Sequence, residues 1–161
     1  MPRTCVFAVG GIIRLETPLE AASPYLTVAG QTAPGGGILL TNAPGAVLGS
    51  LVQVTTHDVT WRYTRFRNQY RAACSDSSTS ECGGLVHSFT GARRVILDHN
   101  SLSWNQDEGY GVWRGDQGPL RGVTMSMSLI AEGLRSHSTG LIVGGETSAL
   151  SSEVRDIDAH H

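Results

Sequence analysis

Arg93-Arg94-Val95-Ile96-Leu97-Asp98-His99-Asn100-Ser101-Leu102 (residues 93–102) sets the pattern by which the rest of the chain is read. Counted from Val95, even offsets hold Val95, Leu97 and His99 while odd offsets hold Ile96 and Asp98, the period-two alternation of a half-buried strand. Asn100, at offset five, suits a tight bend because Asn tolerates the left-handed backbone conformation. Leu102, at offset seven, returns an apolar side chain inward. The phrase recurs as Val59-Trp61-Tyr63, with Thr64 at the bend and Phe66 beyond it. It recurs again as Val123-Met125-Met127, with Ser128 and Ile130.

Two turn residues followed by an apolar anchor occur five times, at Pro24-Tyr25-Leu26, His57-Asp58-Val59, Arg93-Arg94-Val95, Arg121-Gly122-Val123 and Ser152-Glu153-Val154. The anchors fall 33, 36, 28 and 31 residues apart. So irregular a period excludes a strict short-repeat solenoid and fits coils of near-constant core whose loops vary in length. A second apolar run precedes most anchors: Leu51 to Val54, Leu85 to Val86, Tyr110 to Trp113, and Leu141 to Val143. Three short strands per coil, a bend at a fixed offset and unequal loops predict an all-β parallel β-helix of about five coils. It would occupy residues 1–161 as a single domain. A β-sandwich or antiparallel barrel would join its strands by tight hairpins, and the chain has no Asn-Gly or Asp-Gly hairpin signal.

Composition supports this. A length of 161 residues suits one continuous core. Twenty glycines, six prolines and only twelve Lys plus Arg leave few good helix formers together, while Val, Ile, Leu and Thr cluster in short runs. A net charge of −2 and a pI near 6.3 give no electrostatic footprint for nucleic acid. No apolar stretch approaches the ~20 residues of a membrane helix, and Met1-Pro2-Arg3-Thr4 does not begin a signal peptide. Three cysteines are too few for a disulfide framework and lack C-x-x-C zinc spacing. Cys74 and Cys82 flank a polar loop, which they either staple or leave as two free thiols. Cys5, amid Val6, Phe7 and Val9, is expected to be a small core residue.

Six phrases in order resemble polysaccharide lyase family one, the pectate lyases, particularly its bacterial branch. They are Pro2 to Leu15, Tyr25 to Ile38, Thr56 to Arg67, Val95 to Glu108, Ala131 to Leu134, and His137 to Gly145. The resemblance implies a right-handed, pectin-lyase-like parallel β-helix and a secreted protein. It also implies an internal fragment, since members of the family begin before the residues matching Pro2. They continue past the His160-His161 phrase into an Arg-x-Pro-Arg stretch that supplies the catalytic base.

The activity implied is cleavage of polygalacturonate by calcium-assisted β-elimination, in which a hard cation in an oxygen-rich site lies beside a base held in a cleft. Asp107 and Glu108 are the expected calcium ligands. The alternative is a solvated acidic turn, since calcium takes ~6–8 oxygens and two carboxylates cannot supply them. Family sites also draw acids from neighbouring coils, where this chain reads Gly84-Leu85 and Gly111-Val112. Asp116 is a further loop acid. Asp98-His99 matches the family's Asp-His motif. Asp98 shares offset three with Arg62 of the preceding coil, so the two should stack as an ion pair, and His99 should be a hydrogen-bonded core histidine.

Arg114, Arg121 and Arg135 are candidates for contacts to an acidic sugar chain, with surface salt bridging as the alternative for each. Arg135, beside Ala131-Glu132-Gly133-Leu134 and two residues before His137, is the candidate catalytic residue, and His137 a substrate contact. Thr139 stands where many family members carry a binding lysine. Trp104, Tyr110 and Trp113 are candidates to stack on sugar rings, with filling the core between coils the favoured alternative for Trp104. The expected function is a pectate-lyase-like protein with weak or no turnover as this fragment. Its rivals are a non-catalytic module that binds acidic polysaccharide and a β-helix that self-associates through exposed coil ends.

Overall fold

The architecture is that of a computed structural model, which describes residues 1–69, 83–115, 118–134, 137–145 and 154–161. The chain advances in coils of three strands. The first coil is β1 (Arg3–Val6), β2 (Gly11–Leu15) and β3 (Leu19–Ala21). The second is β4 (Leu26–Ala29), β5 (Ile38–Asn42) and β6 (Ser50–Val54), and the third β7 (His57–Arg62), β8 (Thr64–Arg67) and β9 (Gly84–Ser88). The fourth is β10 (Arg93–Asp98), β11 (Ser101–Ser103) and β12 (Tyr110–Arg114). The fifth is β13 (Leu120–Ser126), β14 (Leu129–Ala131) and β15 (Leu141–Gly145), and β16 (Val154–His160) opens a further turn.

Corresponding strands stack into three sheets, β1-β4-β7-β10-β13-β16, β2-β5-β8-β11-β14 and β3-β6-β9-β12-β15. Every pairing is parallel. This is a parallel β-helix of about five coils. Like residues lie above one another, so each rung supplies its neighbours' hydrogen bonds and covers their apolar layer. Leu26, Val59, Val95 and Val123 stand in one column, and Phe66, Leu102 and Ile130 in another. Val59, Val95, Phe66 and Leu102 are fully enclosed.

Five expectations are corrected. The last anchor is Ile157, not Val154, because Val123 pairs with Ile157 while Val154 pairs with Leu120. An anchor follows a left-handed residue, and that residue is Asp156 (φ 57°), as it is Asp58 (φ 55°) and Arg94 (φ 52°) in earlier coils. The second bend falls at offset four rather than five: Tyr63 (φ 55°), His99 (φ 54°) and Met127 (φ 46°) are left-handed. That one-residue shift flips faces, so His99 lies on the surface, stacked on Tyr63 with ring centres 4.6 Å apart, and is not a core histidine. Asn100 turns inward instead.

Cys5 is exposed because its column mates, Val28 and Trp61, are covered on both sides while β1 is the outermost rung of the described stack. Trp104 is also exposed. Its left-handed backbone (φ 69°) turns the ring outward, where Nε1 donates to Glu132 Oε2 at 3.0 Å and the Arg67 guanidinium lies 5.7 Å from the ring centre. Arg62 and Asp98 do pair across adjacent rungs, Nε to Oδ2 at 3.2 Å, and the Ser126 hydroxyl donates to Asp98 Oδ1 at 2.7 Å. Cys74, Cys82 and Asp116 lie outside the described residues.

Candidate functional site at the Asp107 corner

Between β11 and β12 the chain turns from the second sheet to the third, and the turn is fixed from both sides. Buried Asn105 donates from Nδ2 to the Asp107 carbonyl and to the Thr139 carbonyl of the next coil, the latter at 3.0 Å. From the preceding coil, the Gly83 carbonyl accepts from the Gln106 amide at 3.0 Å. The Gly109 amide donates to the Thr139 carbonyl at 2.9 Å, and Thr139 closes a turn on the His137 carbonyl. Three rungs thus converge on Asp107 and Glu108.

The Asp107 side chain is buried, and its Oδ1 lies 2.8 Å from Nδ1 of His137, whose ring is largely exposed. Glu108 Oε2 lies 3.3 Å from Nε2 of His87 on β9. That approach lacks hydrogen-bond alignment, and His87 Nε2 is buried without a hydrogen-bond partner. The His87 ring occupies a slot made by two glycines: a Cβ at Gly111 would stand 2.3 Å from its Cδ2, and one at Gly84 would stand 3.0 Å from its Cε1. Phe89 meets the ring edge-on at 5.2 Å. His87, Phe89, Asp107, Glu108, Trp113 and His137 line a cavity of about 410 Å³.

Burial raises the Asp107 carboxyl above its ordinary value, the adjacent Glu108 charge adds to this, and the His137 contact opposes it. Burial also disfavours charge on Glu108, but the His87 contact and a backbone hydrogen bond outweigh it and hold that carboxyl below its ordinary value. Asp107 is therefore the partner that takes up a proton first. Asp107, Glu108 and His137 each offer a ligand atom within 4.8 Å of the others. Two carboxylates carry four oxygens, short of the ~6–8 that calcium takes, and the glycines where more acids could stand are packed against His87. The described residues alone do not complete a calcium site.

Comparison with known proteins matches this coil order. Over 148 residues the chain is 32% identical to a protein of Neosartorya fischeri named probable pectate lyase C, covering 88% of this chain and 29% of the relative. A protein of the same name from Aspergillus fumigatus is 32% identical over 145 residues, covering 86% and 28%. One from Aspergillus terreus is 30% identical over 148 residues, covering 88% and 29%. The chain is a parallel β-helix of the pectate-lyase type. It spans under a third of the length of these relatives, which are fungal rather than bacterial. No family model matches it, and no solved structure does.

Within this pectate-lyase-type helix, the cavity gathers Asp107, Glu108, His137 and Trp113, whose ring packs against the Gly144 backbone of the next rung. It does not gather the rest. Tyr110 faces the core, not a sugar: it is 1% exposed, its hydroxyl lies 2.8 Å from Ser88 Oγ, and burial raises its phenol well above the ordinary value. Arg114 is likewise buried, donating from Nε to the Gly118 carbonyl at 2.7 Å, so it presents no cation to a ligand outside. Arg121 stands on the first sheet in register with Arg93 and Arg155. Arg62, Asp98 and His99 belong to that sheet and its bend. A larger open groove of about 600 Å³ passes Tyr63, Arg65 and His99 there, and no Asp or Glu side chain lines it among the described residues. Arg135 lies outside the described residues.

Sequence reading missed His87, hidden in the run Leu85-Val86 as one more strand residue. The available signal was its pair of glycines, but Gly111 is seen to oppose His87 only once register is known.

Proposed function

We propose that this chain belongs to a polysaccharide lyase acting on polygalacturonate, and that the Asp107 cavity is where the uronate chain meets it. One coincidence carries the reading: the stretch Val95 to Glu108, which resembles the pectate lyases, ends in the Asp107 cavity. The 88% alignment with relatives named for pectate lysis supports it.

β-Elimination on a uronate removes the C5 proton, α to the carboxylate, and expels the oxygen at C4. It therefore requires a base that reaches C5 and a partner for the carboxylate charge. His137 is exposed at the cavity and held by Asp107, so its imidazole can accept or share a proton there. Trp113 offers an apolar wall to a sugar ring. Arg135, two residues before His137, is the arginine candidate for the base. Calcium would meet Asp107, Glu108 and the substrate's own carboxylates, and no step is assigned through it. A secreted setting accompanies this reading, because the polymer is extracellular.

A second reading, an acidic-polysaccharide-binding module without turnover, is favoured by one observation: no arginine or lysine lines the cavity among the described residues. Polygalacturonate incubated with the protein, with metal and with chelator, separates the two by absorbance of the unsaturated product. Turnover abolished by Asp107→Asn and His137→Ala supports the lyase. Affinity without product supports the module, and neither affinity nor product discards both.

A further inference from the structure

We propose that the corner where the third sheet passes into the first carries a docking ladder for an acidic polysaccharide, separate from the Asp107 cavity and built from Arg93, Arg121 and Arg155. These residues are direct register partners on β10, β13 and β16, with His57 of β7 next in the column. Rungs about 4.8 Å apart therefore set three arginines in a row along the helix axis. Like charges directly opposite one another on adjacent strands are destabilising, and the fold avoids that arrangement in neighbouring columns. Asp58 clasps Arg94 through contacts of 2.8 and 2.6 Å, and Asp98 takes Arg62 at 3.2 Å. Among the described residues the arginine column has no such acid at its centre. Arg93 is followed by Arg94 and Arg121 by Gly122, while Arg155 has Asp156 beside it at 4.0 Å. His57 is already tied to Asp58, Nδ1 to Oδ2 at 2.6 Å, so the ladder proper is the three arginines.

Arg93 and Arg121 are half-buried, and among the described residues neither side chain makes a hydrogen bond or ion pair. Neither contributes a nitrogen to the buried groups that lack a partner, so their guanidinium nitrogens reach solvent. An anion laid across them offsets the repulsion within the column. All twelve Lys and Arg positions of the chain are arginine, whose planar fork pairs with a carboxylate bidentately. Arg93, Arg94, Arg121 and Arg155 outnumber Asp58 and Asp156 at this corner, although the chain as a whole carries a net charge of −2. Carboxylates repeated along a linear polymer suit cations repeated at one-rung intervals, because one linked sugar unit is about as long as the separation of two rungs. Taking that polymer to be polygalacturonate rests on the proposed lyase function. The ladder supplies what the cavity lacks, since no arginine or lysine lines the cavity among the described residues.

Calorimetric titration of the purified chain with polygalacturonate, in chelator and with His137→Ala in place, tests the ladder while the cavity and any metal are out of play. Product absorbance tests the lyase reading separately, so the two can fail independently. Affinity should survive both the chelator and His137→Ala, and should weaken as salt rises. It should fall at least about 10-fold in Arg93→Gln combined with Arg121→Gln, with the fold checked by circular dichroism. Arg121→Lys, which keeps the charge, should retain more affinity than Arg121→Gln. Arg155→Gln, at a position 58% exposed, repeats the test with a smaller loss should the double variant unfold. Fully methyl-esterified polymer, the same chain without its charge, should not bind. Absence of binding in chelator, parent-like affinity in the folded arginine variants, equal binding of the esterified polymer, or tighter binding of duplex DNA than of polygalacturonate would overturn the assignment.

Discussion

Asn100 and His87 are both polar side chains enclosed by the coil, one at the bend between the first and second sheets and one on the third sheet. Asn100 is fully used: Oδ1 accepts from the Thr64 amide at 2.9 Å, and Nδ2 donates to the Trp61 carbonyl at 2.9 Å. His87 Nε2 has no aligned hydrogen bond and meets only the Glu108 carboxylate, at 3.3 Å. Since buried polar groups are nearly always satisfied, the first residue explains itself as a splice between rungs, and the second faces the Glu108 carboxylate across the cavity wall. The polar interior of this β-helix thus divides into groups that hold backbone and groups that line the cavity.

The largest expected effect tests the first half of that division. Asn100→Ala leaves the Thr64 amide and Trp61 carbonyl unpaired in the interior and should destabilise by about 2–4 kcal/mol. A urea midpoint little different from that of the parent would show the splice to be dispensable. Gly111→Ala addresses the other half, because its new Cβ meets the His87 ring and overpacking costs about 1–3 kcal/mol. Adding His87→Ala should restore most of that loss, whereas simple additivity in the double-mutant cycle would mean the ring does not sit in the slot.

Smaller effects follow at groups already satisfied. Tyr110→Phe removes the bond to Ser88 and should lower stability by about 1 kcal/mol in denaturant titration. Full affinity for polygalacturonate in that variant would agree with Tyr110 facing the core. Asp98 is held below the ordinary carboxylate range chiefly by the Ser126 hydroxyl, with His99 and Arg62 adding to it against burial. A depressed carboxyl stabilises fully above its unfolded value near 3.9 and loses that contribution as pH falls through the folded value. Asp98→Asn should therefore cost no more than about 1 kcal/mol at pH 6, and the gap should narrow below pH ~4. A gap that widens in acid would contradict this pairing.

Most of the fold was legible because Val59, Val95 and Val123 repeat with their flanking alternation, and parallel stacking turns that repeat directly into columns. The bend was misplaced by one residue because Asn is the usual left-handed residue, whereas here Tyr63, His99 and Met127 adopt that conformation. For such residues it is worth about 1–2 kcal/mol in strain, and the buried bonds of Asn100 compensate. The site was half legible. Adjacent acids at Asp107 and Glu108 can be seen in any sequence, but the meeting of His87 with Glu108 depends on a register between residues 21 apart. Tyr110 and Arg114 were misjudged because aromatic and cationic side chains were read as surface by type, while their strand is enclosed.

Vertical stacking also bears on how the chain acquires its structure. In the first sheet a rung closes on the next only after 33, 36, 28 or 34 residues of intervening chain, as Leu26, Val59, Val95, Val123 and Ile157 are spaced. Contacts so distant along the polymer make loop closure the slow step. Once two rungs have met, each later one docks on a finished template. Growth of the helix should then resemble the lengthening of a filament within a single molecule, with an initiation lag and rapid propagation.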